Sequence, residues 1–145
     1  MPETEVEVVQ YPAGRLRSFF SPEKYDWSST ELYMVLDRLG RNLSEVEEDA
    51  TIEPEFSYPN GDTAESFEEL LEAGEHSPLE GGARVEAGPV EGHIEYIPAV
   101  GHETSALTAE FEVPEVYEQQ LRDILGEAGF KDPVVPRISH RAIQG

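Results

Sequence analysis

From Leu107 to Val113 the chain alternates strictly: Leu107, Ala109, Phe111 and Val113 are apolar, and Thr108, Glu110 and Glu112 stand between them. A two-residue period predicts a strand with one buried face. Pro114 closes it, and the same proline suits the first position of a helix, where a missing N–H costs nothing and Glu115 and Glu118 meet the positive end of the dipole. Tyr117, Leu121, Ile124, Leu125 and Ala128 then recur at spacings of three and four, which predicts a helix with one apolar face. The natural partner for that face is the strand's own sheet.

The same periods organise the rest. Residues 4–11 read as a first strand, with Val6 and Val8 on one face and Glu5, Glu7 and Val9 on the other. Ser28 and Glu31 have capping-box spacing and open the longest helix, in which Leu32, Val35, Leu36, Leu39, Leu43 and Val46 form a continuous seam. Gly40 weakens that helix by about 1 kcal/mol relative to Ala and marks a break or a close contact. Residues 52–58 read as a strand that Pro54 assigns to a sheet edge. Asp62 and Glu65 are placed to cap a short helix with Phe67, Leu70 and Leu71 facing inward and Gly74 closing it. After a loop over residues 76–82, residues 84–87 and 93–99 read as strands separated by Gly88 and Pro89. Val134, Val135 and Ile138, interrupted by Pro136, read as a last short edge strand. The order β-α-β-α-β-β-β-α-β predicts a single α+β domain over residues 1–145: a mainly antiparallel sheet of five or six strands, two main helices packed on it and one short helix.

Length supports this, since chains of about 150 residues bury roughly 70% of their unfolded surface. No run of eighteen apolar residues occurs, and the N-terminus MPETEVEVV is acidic where a signal peptide is basic and then apolar. A soluble protein is expected. The absence of cysteine excludes disulfides, thiolate nucleophiles and cysteine-ligated zinc or iron–sulfur sites.

Charge changes the picture most. The chain has 31 acidic residues against 10 basic ones, a net charge of −21. At ordinary ionic strength such a surface repels itself, whereas at about 1 M salt the Debye length is about 3 Å and the repulsion is largely screened. Only Lys24 and Lys131 are lysine, whose long apolar stem adds hydrocarbon surface that strong salt makes adhesive. In composition the whole chain resembles proteins of salt-accumulating halophiles, such as haloarchaea and their viruses. It departs from that pattern in its preference for Glu over Asp. All the net charge lies in residues 45–128, and the two ends are near neutral or basic.

Two segments are candidates for binding a protein partner. The arm over residues 15–27 interleaves Phe19, Phe20, Tyr25 and Trp27 with Arg15, Arg17 and Lys24, and interface centres favour aromatic residues and arginine. The tail over residues 139–145 carries His140 and Arg141, with Arg137 just before it. The plain alternative for the arm is a loop whose aromatics cap the core. Nucleic acid is a poor partner, because three bases beside a field of −21 make a weak electrostatic funnel.

Candidate chemistry is thin. His93 and Glu95 share one strand face, and a hairpin would bring His102 and Glu103 toward them, a donor set that zinc or iron accepts, although no spacing-defined motif accompanies it. Nucleophile elbows and phosphate-binding loops are absent from the sequence, and no cofactor is implied. These features lead to the expectation of a non-enzymatic structural or adaptor protein of a halophilic system, cytoplasmic or in a virion, working as a homo-oligomer or larger assembly. A ligand-binding or regulatory domain is the alternative, ahead of a metal-dependent enzyme.

Overall fold

The computed structural model describes residues 3–11, 27–98 and 105–132. Six strands form one sheet in the order β1-β6-β5-β4-β2-β3, and every neighbouring pair is antiparallel. They are β1 (Glu3–Gln10), β2 (Thr51–Ser57), β3 (Thr63–Ala64), β4 (Glu80–Ala87), β5 (Val90–Ile97) and β6 (Ala106–Pro114). The helices are α1 (Ser29–Val46), α2 (Phe67–Ala73) and α3 (Glu118–Glu127), the last entered through a 3-10 turn over Glu115–Tyr117. This is an α+β fold, as the alternation of periods predicts.

One sheet face is the core. Val6 and Val8 of β1, Leu107, Ala109, Phe111 and Val113 of β6, Ile94 and Tyr96 of β5, Ala83 and Val85 of β4 and Phe56 of β2 are all buried on it. The chain leaves β1 at one edge, crosses the sheet in α1 and re-enters as β2 on the far side, so α1 covers the middle of the core with Leu32, Leu36, Leu39 and Leu43. Alongside it, α3 seals the β1 side with Leu121 and Leu125, and α2 contributes Leu70.

Local chemistry sets the helix ends. Ser28 Oγ accepts from the Glu31 N–H at 3.2 Å while Glu31 Oε1 accepts from the Ser28 N–H at 2.9 Å, the reciprocal capping box expected for α1. Two more free donors of that first turn, the Ser29 and Thr30 N–H groups, go to the carbonyls of His76 and Gly74 just beyond α2. At Gly40 the helix continues without a break, and an added Cβ would stand 3.4 Å from Ile52 Cδ1, so the close-contact alternative holds.

Several expectations need correction. The cap of α2 is Ser66, whose Oγ accepts from the Glu69 N–H, while Asp62 is held in the preceding turn by Asn60. Leu71, Val46 and Tyr117 keep helical period with buried residues but are about half exposed, because each lies at the rim of the stripe its helix buries. Strand β4 starts at Glu80, inside the segment expected as loop, and β5 starts at Val90 directly after the Gly88-Pro89 turn. The two-residue β3 pairs with Phe56 and Ser57, so β2 is an edge only along Thr51 to Glu55, which is where Pro54 sits. The expected last strand lies outside the described residues, although Lys131 already bridges Val9 on the outer edge of β1. Among the described residues no helix is long and apolar enough to cross a membrane.

Candidate functional site

Three surfaces follow from this architecture, and the first is the sheet face opposite the core. Because side chains alternate, every residue between the core positions points there, and in this chain those residues are mostly glutamate. Among the described residues the face carries eleven: Glu3, Glu5 and Glu7 of β1, Glu53 and Glu55 of β2, Glu80 and Glu86 of β4, Glu91 and Glu95 of β5, Glu110 and Glu112 of β6. The register places Glu5, Glu112, Glu91 and Glu86 directly opposite one another on four adjacent strands. Neighbouring strands are about 4.8 Å apart, and like charges directly opposed destabilise a sheet. The next row reads Glu7, Glu110, His93, Arg84 and Glu53, so Arg84 supplies a compensating positive charge there.

His93 therefore belongs to that row, with Nε2 3.6 Å from Glu110 Oε2 and both side chains about half exposed. Glu95 shares its face, as the strand period requires. His102 and Glu103 lie outside the described residues, and among the described residues no three His, Cys, Asp or Glu side chains converge to hold a metal ion.

The second surface lies at Trp27, the last residue of the aromatic arm. Arg15, Arg17, Phe19, Phe20 and Tyr25 are outside the described residues, as are Arg137, His140 and Arg141 of the tail. Trp27 is described and is only 2% exposed, a core residue whose N–H donates to Ser105 Oγ at 3.1 Å and so ties the entry of α1 to the start of β6. So deeply buried a side chain offers a partner little area, and for Trp27 the core-capping alternative is the one that describes its position. Yet among the described residues the indole N–H has no hydrogen-bond partner, and neither has the buried Oε1 of Gln10 at the end of β1. Both residues line a trough of about 670 Å³ bounded by one side of α1 and by Ala128 after α3. A buried polar group left unpaired costs about 1–3 kcal/mol. The mouth carries Glu31, Asp37, Arg38 and Arg41, two charges of each sign, with Arg41 Nη2 2.9 Å from Asp37 Oδ2. Sequence reasoning missed Gln10, Arg38 and Arg41. The available signal was the basic pair three residues apart on the longest helix of a strongly acidic chain.

A third surface is a smaller groove of about 190 Å³ at the other end of α1. There the exposed side chains of Val46 and Tyr117 and the half-buried Ile124 meet the Pro89-Val90 corner of the β4–β5 hairpin.

Inside the molecule, Ser29 Oγ lies 2.6 Å from Tyr58 Oη and donates to the His76 carbonyl at 2.7 Å, which makes Tyr58 the donor to Ser29. Burial raises the Tyr58 pKa above its ordinary 10.0.

Compared with protein-family models, with curated proteins and with solved structures, the chain has no match. Its function is therefore argued from these surfaces.

Proposed function

We propose that this chain is a non-enzymatic structural or adaptor protein of a halophilic system that works by assembling with copies of itself. The observation carrying this reading is the division of the surface. One sheet face is a field of opposed glutamates, and the helical side leaves the apolar side chains of Val46, Tyr117 and Ile124 around a groove that Glu47 and Gln120 also line. At low salt two such chains repel. In molar salt the carboxylates are screened, and the solvent favours burying exposed hydrocarbon, so the groove is where copies meet and the glutamate face stays hydrated. Within this class, a connector, tail-completion or capsid accessory protein in the virion of a haloarchaeal tailed virus matches the chain's size and solvent.

The test is molecular mass by light scattering at molar salt and at about 0.1 M. A defined oligomer is expected at molar salt, dissociating at low salt, and Val46→Glu with Tyr117→Glu should leave a folded monomer. A monomer at every salt and protein concentration would overturn the reading. A second reading, a ligand-binding or regulatory domain of a halophile, is favoured by the trough at Trp27 and Gln10.

A further inference from the structure

We infer that Asn60 is a latent modification site that the fold holds in check: while the turn between β2 and β3 is closed the residue keeps its amide, and when the turn opens it converts to aspartate or isoaspartate. The site is independent of the assembly reading, because none of its residues lines the groove at Val46 and Tyr117.

Asn60 and Gly61 are adjacent and exposed, and Gly61 has no side chain to keep its main-chain nitrogen away from the Asn60 carboxamide. In the reaction the Gly61 nitrogen gives up its proton and bonds to Cγ of Asn60, the Cγ–Nδ2 bond breaks and the amide leaves as ammonia, which closes a cyclic imide. Water then opens the ring. Cleavage at Cγ leaves aspartate, and cleavage at the main-chain carbonyl carbon leaves isoaspartate, with the backbone routed through the side chain. The sum is an amide and water giving an acid and ammonia, with no change of oxidation state.

The folded turn opposes each part of that step. Gly61 N–H donates to the Tyr58 carbonyl at 2.9 Å, so its proton is engaged. Asn60 Nδ2 donates to Asp62 Oδ2 at 2.9 Å while Asn60 Oδ1 accepts from the Asp62 N–H at 3.0 Å, so the carboxamide is held at both ends and cannot turn its carbon onto Gly61 until that clamp is released. The Asp62 carboxylate also disfavours the negative charge that the attacking nitrogen must first take on. Tyr58 N–H closes the turn on the Asp62 carbonyl at 2.9 Å, with Gly61 at φ +91°, a value glycine adopts freely. Isoaspartate lengthens the backbone by one carbon in a hairpin whose β3 makes only the pairs Phe56 with Ala64 and Ser57 with Thr63, and either product sets another carboxylate beside Asp62.

Asn42 is the other asparagine of the chain and is followed by Leu43, whose side chain crowds the corresponding nitrogen, so it serves as the internal reference. The experiment incubates the full chain at pH 8, folded in molar potassium chloride and unfolded in guanidinium chloride, and follows both asparagines by peptide mapping with mass spectrometry. In the unfolded chain Asn60 should convert at least tenfold faster than Asn42, and in the folded chain at least tenfold more slowly than when unfolded. Asp62→Ala, folded in molar salt, should convert Asn60 severalfold faster than the folded parent does. The inference is overturned if folded and unfolded chains convert Asn60 equally fast, if Asn60 does not outpace Asn42 in the unfolded chain, or if folded Asp62→Ala converts at the parent's rate. The comparison on the unaltered chain decides the question even if the variant does not fold.

Discussion

At the scale of single residues, what can be read from sequence depends on how far away the partner is. Ser28 and Glu31 are three apart, so their capping box is a local pattern, and the structure contains it. Ser29, the next residue, looks like an ordinary first-turn serine. Its partners Tyr58 and His76 are 29 and 47 residues distant and come within reach only once α2 has docked against the start of α1. That Trp27 and Gln10 line one trough was hidden for the same reason, since they are 17 residues apart in the chain. Tyr58 carries a prediction at this scale. Its pKa is raised in the folded state, so its contribution to stability is complete below the unfolded value of 10.0 and is lost as pH rises through the higher folded value. Tyr58→Phe keeps the ring packing and removes one hydrogen bond, at a cost of about 1 kcal/mol near neutral pH. Thermal melts of both proteins from pH 8 to 11 should show the difference between them shrinking above pH 10. A constant difference over that range would mean that the Tyr58 hydroxyl is not effectively buried.

At the scale of elements, strict alternation placed the core and solvent faces of β1 and β6 correctly, because a one-residue error would move every side chain to the wrong side. Alternation says nothing about which strand lies beside which. The line of Glu5, Glu112, Glu91 and Glu86 joins residues from four strands and is a property of register alone. Helical period similarly places the centre of a buried stripe but not its width, which is why Val46, Leu71 and Tyr117 are exposed. The glutamate row yields a sharp test at Glu91, which stands between Glu112 and Glu86. Glu91→Lys turns two repulsive cross-strand pairs into attractive ones, and such pairs are each worth roughly 0.2–1 kcal/mol. Chemical denaturation by urea at about 0.1 M salt should show the variant more stable by about 1 kcal/mol, with the gain gone at about 1 M salt. A gain that survives high salt would come from packing of the lysine stem.

At the scale of the whole molecule, the question is whether −21 is a surface that the fold merely tolerates or one for which its solvent is a structural component. The two cases differ in how stability approaches its limit. Screening of carboxylates on neighbouring strands is nearly complete once the Debye length, about 3 Å at 1 M, falls below the strand spacing of about 4.8 Å. Strengthening of the apolar core by salt instead continues with concentration and depends on the anion, being greater for sulfate than for chloride. If repulsion across the glutamate face is the main burden on this fold, the melting temperature in potassium chloride should rise steeply from about 0.1 to 1 M and then flatten. Sodium sulfate matched for ionic strength should follow nearly the same curve up to that point. Glu91→Lys should show a smaller rise over the same range, since part of the repulsion has already been removed from it. A melting temperature independent of salt would sink the halophilic reading, because the opposed glutamates would then cost the fold nothing measurable. A rise that continues without flattening and separates by anion would locate the salt effect in the core, leaving the acidic face as a determinant of solubility and of which surfaces remain free to assemble.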